Sequence, residues 1–135
     1  MPSRYKSWKA GAEKRLLASF DLIDAPMVGA LLQIETDNVE GAVQALVCER
    51  AMIALVQDGK TVFPSCQFDA RVCRIYDVVG TILKLRPESI SDMMLAYWMM
   101  RTHVDFDGPP ADQFGKDDAA VLAAFERYSE PTWHG

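Results

Sequence analysis

The stretch DAPMVGALLQIETDNVEGAVQALVC, Asp24 to Cys48, decides the fold class. Asp24 is a good N-cap, and Pro26 follows inside the first helical turn, where a missing N–H is tolerated. Met27, Val28, Leu31 and Leu32 then fall one helical turn apart and predict one apolar face, on a helix that stops near Ile34. Asp37 and Glu40 have the spacing of a capping box. Behind them Val39, Ala42, Val43, Leu46 and Val47 make an i, i+3, i+4, i+7, i+8 stripe, the mark of a second amphipathic helix. Two short helices joined by a few residues give a helix-turn-helix shape.

Working outward, Ile53 to Val56, the turn Gln57-Asp58-Gly59-Lys60 and Thr61 to Phe63 predict a β-hairpin, because Asp-Gly between β-branched or apolar runs supplies a turn with positive φ. Pro64 is expected to end this wing. Upstream, a helix is predicted from about Lys6 to Ser19. Downstream, Ile75, Val78, Val79, Ile82 and Leu83 predict a helix from about Ile75 to Leu85, which Arg86-Pro87-Glu88 breaks. Ser91 caps the next helix, through about Arg101. Its centre, Met93 to Met100, is apolar throughout, so it must be covered on most sides: by the core in one reading, partly by a second subunit or partner in the other. A polar loop, His103 to Pro110, leads to a last helix capped by Asp117, and the tail from Ser129 is expected to be loosely ordered. The predicted fold is mostly α: a helix-turn-helix-like N-terminal half with a short hairpin wing (1–63), then a small three-helix half (64–135), in one compact domain.

At 135 residues, 50% apolar and 24% charged, the composition is that of an ordinary globular domain. No stretch is apolar for the roughly 18 residues that a membrane span needs, and the basic start is not followed by the apolar run of a secretory signal. A cytoplasmic location without membrane contact is the expectation. Charge is polarised. Arg4, Lys6, Lys9, Lys14 and Arg15 against Glu13 give residues 1–20 a charge of +4, which leaves −9 for the rest of a chain of net charge −5. An acidic body repels nucleic-acid phosphate and suits a basic protein partner. The basic start also reads as the solvated face of a helix carrying Tyr5, Trp8, Leu16 and Phe20.

The residues that carry chemistry are few. Cys48, Cys66 and Cys73 form neither a disulfide framework nor zinc-ligand spacing with His103 or His134, and they read as buried apolar fillers. Gln67 and Asp69 have no nucleophile or histidine beside them. Gln67 is expected to bond backbone groups where the wing leaves the first half, with Phe68 packed below and Asp69 capping a turn. Asp105 and Asp107 stand before Gly-Pro-Pro, where aspartates serve to turn the chain rather than to bind metal. Neither a Gly-rich phosphate loop nor a nucleophile elbow is present. The expectation is a protein without enzyme activity, cofactor or metal.

The second half carries a family resemblance. Phe63-Pro64-Ser65-Cys66-Gln67-Phe68-Asp69 resembles the Pro-x-x-Gln-Phe-Asp element of the Xre/MbcA/ParS-type antitoxins. Trp98, followed by Phe106-Asp107-Gly108-Pro109-Pro110 and Ala111-Asp112-Gln113-Phe114, is similar to that family's Trp…Leu-Asp-Gly-x-x-Pro-x-x-x-Leu stretch. Order and spacing match from about Met27 to Tyr128. The resemblance implies a helix-turn-helix-like half joined to a toxin-binding half, and a partner of the RES class, small toxins that consume NAD and whose active site the antitoxin blocks. It maps the partner contacts onto the loop from His103 to Gln113 and the last helix with its tail: His103, Asp105, Asp107 and Gly108, with Trp98, Phe114 and Trp133 as aromatic anchors. Pro64, Gln67, Phe68 and Asp69 form the structural motif. A homo-oligomer, a dimer in the simplest case, is expected through the apolar helices.

One departure concerns DNA. The outward positions of the helix at Asn38–Cys48 are Glu40, Gly41, Gln44 and Ala45. A base-reading helix presents Arg, Lys, Asn or Gln, and only Gln44 qualifies. The alternative reading, a helix-turn-helix transcriptional regulator, assigns DNA contacts to Arg4, Lys6, Lys9, Gln44 and Arg50.

Overall fold

A computed structural model describes residues 4–104 and 106–130, with the side chains of 4–10 and 13 outside that description. The described chain is mostly helical, with six α-helices and small antiparallel sheets: α1 (Arg4–Ser19), β1 (Leu22–Ile23), α2 (Ala25–Leu31), α3 (Val39–Cys48), β2 (Leu55–Gln57), β3 (Lys60–Pro64), β4 (Phe68–Asp69), β5 (Arg74–Ile75), α4 (Asp77–Leu85), α5 (Asp92–Met100) and α6 (Asp118–Ser129). Two 3₁₀ turns, Ser65–Gln67 and Pro110–Gln113, stand at the junctions.

Asp24 caps α2 as expected, its carboxylate accepting from the Met27 N–H at 3.0 Å. The helix ends at Leu31, short of Ile34, because Gln33 turns left-handed (φ 57°). The Ile34 N–H then bonds the Gly29 carbonyl and the Gln33 N–H bonds that of Ala30, a Schellman ending. The expected capping box at Asp37 and Glu40 gives way to Asn38, whose side chain accepts from the Gly41 N–H at 3.0 Å. Helix α3 closes with a second Schellman ending, in which Arg50 is the left-handed residue (φ 58°) and the Ala51 N–H bonds the Leu46 carbonyl. Helices α2 and α3 pack at Gly29, where a Cβ would lie 2.5 Å from Cγ1 of Val39. The stripe from Val39 to Val47 faces inward and Val43 is fully covered.

The hairpin forms as the Asp-Gly pair predicts. Asp58 and Gly59 both have positive φ (52° and 77°), and β2 pairs β3 with Leu55 opposite Val62 and Gln57 opposite Lys60. Pro64 does not end the wing outside the sheet. It is the last residue of β3 and pairs with Leu22 of β1, a strand that completes a three-stranded sheet with β3 at its centre. A proline is tolerated there because the next N–H, that of Ser65, makes the continuing bond to the Asp21 carbonyl. Ile75 is not helical either. It pairs with Phe68 across the short β4–β5 ladder, and α4 begins at Asp77.

Apolar burial falls into two clusters. Val28, Val43, Met52, Phe63 and Phe68 fill the space under α2, α3 and the sheet. The larger cluster, centred on Ile82, Leu95, Trp98, Met99, Val121 and Phe125, lies among α4, α5 and α6 and takes in Leu17 of α1. Ile75 packs against both.

Candidate interaction site

Gln67 is the only buried polar residue among those described. Its Oε1 accepts from the Ile53 N–H at 2.9 Å and its Nε2 donates to the Ile53 carbonyl at 3.0 Å. One amide therefore satisfies both backbone groups of a residue just before the hairpin. Phe68 is buried beneath it, and Asp69 accepts from the Arg71 N–H at 3.1 Å. All three residues do what the sequence leads one to expect.

The 3₁₀ turn that carries Cys66 and Gln67 packs against the second one, Pro110–Gln113. The two motif segments, far apart in sequence, are thereby neighbours. Between them and α5 runs a groove of about 640 Å³ with Phe20, Asp21, Cys66, Tyr97, Arg101 and Asp112 on its walls. Burial pushes the Cys66 thiol up to about 12, with the Asp21 and Asp112 carboxylates adding to the effect against the thiol's hydrogen bond to backbone. Such a thiol is protonated and unreactive at neutral pH. Cys48, by contrast, is exposed, and Cys66 and Cys73 are both half-buried, so none of the three is the fully buried filler that the sequence leads one to expect.

The loop after α5 closes on itself. The His103 N–H donates to the Gly108 carbonyl at 2.9 Å, the Phe106 N–H donates to the His103 carbonyl at 3.1 Å, and Asp107 takes a left-handed φ of 53°. The closure leaves Val104 at the tip, 90% exposed, with Asp107 exposed beside it. His103 is half-buried with its ring 5.8 Å from that of Phe106.

The expected aromatic anchors lie elsewhere. Trp98 is 1% exposed and packs edge-on to Phe125 (5.4 Å) and stacked on Tyr128 (5.7 Å); Phe114 is 2% exposed and meets the Tyr76 ring edge-on at 5.8 Å. Both are core residues, because the α5 face that carries Trp98 turns toward α6, and the turn before Phe114 packs against α5 and α6. Asp105 and Trp133 lie outside the described residues. The outward aromatic on α5 is Tyr97, 41% exposed, with Met94 at 44%; the Arg101 guanidinium sits 5.3 Å from the Tyr97 ring centre. The sequence reading missed Tyr97 and Arg101. Their signal is the phase of α5: with Leu95, Ala96, Trp98 and Met99 inward, Met94, Tyr97 and Arg101 fall on the other side.

On the first half, Gln44 and Glu40 are exposed on α3 and border a separate groove of about 780 Å³ with Asp24 and Lys60. Arg50 is exposed and serves to end α3. The side chains of Arg4, Lys6 and Lys9 lie outside the description. Among the described residues no cluster of three or more His, Cys, Asp and Glu is placed to hold a metal ion, and no helix is long and apolar enough to cross a membrane. No family model, no curated protein and no solved structure matches the chain.

Proposed function

We propose that the chain is an antitoxin-like interaction protein that binds a RES-type toxin and occludes its active site. The observation that carries this reading is the meeting of the two resembling segments. The 3₁₀ turns Ser65–Gln67 and Pro110–Gln113 pack together, and the second is preceded by one closed loop whose tip is a solvated valine, Val104, with His103 before it and acidic positions after it. A loop closed by its own backbone hydrogen bonds, with an apolar tip followed by carboxylates, suits insertion into a cleft lined by cations, since preorganisation lowers the entropy lost on binding and the charge selects the partner. The buried Gln67 and the inert Cys66 act as supports for that loop, and the protein works in the cytoplasm without cofactor or metal.

Co-expression with the neighbouring reading frame tests the proposal. The expected result is a stable complex with a small basic protein, weakened by Val104→Asp, which alters the tip and leaves the core untouched. A neighbouring product that fails to bind overturns it.

A second reading, a DNA-binding regulator, has one observation in its favour: Gln44 of α3 and Lys60 of the hairpin border one groove. Asp24 and Glu40 on the same rim oppose phosphate. A mobility-shift assay at low salt decides it, since specific retardation that collapses as salt rises is what a DNA reader gives.

A further inference from the structure

Strand β3 changes partner along its length. Lys60, Thr61 and Val62 pair with β2, whereas Phe63 and Pro64 pair with β1 on the opposite side. The direction of backbone bonding alternates along a strand. Ser65 donates to the Asp21 carbonyl on the β1 side, so its alternates Phe63 and Thr61 aim their N–H and carbonyl groups to that side too. Opposite Phe63 stands Ile23. Opposite Thr61 there is no strand, because the chain leaves β1 at Asp24 and winds into α2, with Pro26 in the first turn. Thr61 is exposed, and among the described residues its N–H and carbonyl make no hydrogen bond.

This open edge borders the groove of about 780 Å³ whose other walls are the N-terminal ends of α2 and α3. Asp24 and Glu40 stand exposed on those walls. We propose that the groove takes an extended, basic segment of a partner protein as an added strand, antiparallel to β3 and in line with β1. An extended backbone offers a carbonyl and an N–H at the spacing that Thr61 presents, the mode known as strand addition. Nucleic-acid phosphate offers acceptors alone and leaves the Thr61 carbonyl unmet. The volume is that of a cleft for a ligand or a few residues, about 300–1,000 Å³. Side chains then set the choice. The residue opposite Thr61 points to the sheet face that carries Thr61 and Phe63. That face packs on α2 and α3, so its wall is the one with Glu40. Asp24 lies where the added strand begins. Lysine or arginine at these places meets a carboxylate, and an acidic residue is repelled. The proposal is independent of the toxin reading and competes with DNA for the groove that Gln44 and Lys60 border.

Amide hydrogen exchange of the full chain, followed by NMR, tests it. The probe is a six-residue synthetic peptide of alternating valine and lysine, titrated into the millimolar range. Exchange of the Thr61 N–H is expected to slow by about tenfold or more at saturation, while that of Val62, which already faces β2, stays as it was. The same peptide with glutamate for lysine is expected to bind at least about tenfold more weakly. Thr61→Pro removes only the outward N–H, since the ladder to β2 runs through Lys60 and Val62. It should keep the wild-type melting temperature and weaken binding by about tenfold. Glu40→Lys, on the exposed wall, should weaken it by a similar factor. No protection of Thr61 by the lysine peptide overturns the proposal. So do equal binding of the glutamate peptide, Thr61→Pro and Glu40→Lys chains that both bind as the wild type does, and duplex DNA that protects Thr61 where the peptide does not.

Discussion

The side-chain amide of Gln67 closes a two-bond ring with the backbone of Ile53, fourteen residues away, at 2.9 and 3.0 Å and out of reach of water. This pair ties the start of the second half to the strand region of the first half. Replacing Gln67 with Leu leaves the N–H and carbonyl of Ile53 buried and unpaired. Each such orphan costs about 1–3 kcal/mol, so denaturant unfolding should show a loss of about 2–5 kcal/mol. Gln67→Glu is more telling. The carboxylate can still accept from the Ile53 N–H but repels the Ile53 carbonyl, whereas the protonated acid donates to it. Burial raises the pKa of that glutamate in the folded state. The variant's stability relative to wild type should therefore recover as pH falls; a pH-independent deficit contradicts the two-bond account.

Trp98 fills the centre of the larger cluster, and its Nε1–H is buried without a hydrogen-bond partner among the described residues. Trp98→Ala should cost about 3–5 kcal/mol through the cavity it leaves. Trp98→Phe should cost far less than the lost volume suggests, about 1.5 kcal/mol or under, because it also removes an unsatisfied donor. Thermal melts of the two variants check the ordering. An unchanged melting temperature for Trp98→Ala would return Trp98 to the surface role expected from the sequence.

Cys66 couples stability to alkaline pH. Its thiol ordinarily titrates near 9.0 and in the fold is pushed up to about 12. The folded state holds a proton that the unfolded chain releases, so the contribution is complete below pH 9 and is lost as pH rises from there toward 12. Tyr76 and Tyr128, whose phenols burial also pushes up, add to the loss at the upper end. In Cys66→Ala the decline should begin later. Iodoacetamide at neutral pH should label the exposed Cys48 and spare Cys66 in the native protein. Equal labelling of both would contradict the burial.

Much of the fold is legible in local signals. Asp24, Ser91 and Asp117 each cap the helix that their side-chain chemistry forecasts, and Asp58-Gly59 makes the hairpin. The misses share a cause. Strand β1 is two residues long, and β4–β5 pairs Phe68-Asp69 with Arg74-Ile75; ladders so short leave no period to read. The left-handed residues that end α2 and α3 are Gln33 and Arg50, where glycine is the usual signal. At the candidate site, Gln67, Phe68 and Asp69 were readable because each makes a local or backbone bond. Tyr97 and Arg101 were not, because an all-apolar helix gives no clue to its outer face until α4 and α6 take the inner one.

The measurement closest to the proposed function is cellular NAD after induction of the neighbouring reading frame, with and without this chain. The account predicts that the neighbour alone depletes NAD, that co-induction of the chain restores it, and that Val104→Asp loses the protection while retaining the wild-type melting temperature. An NAD pool untouched by the neighbour, or one depleted equally in the presence of the chain, would contradict it.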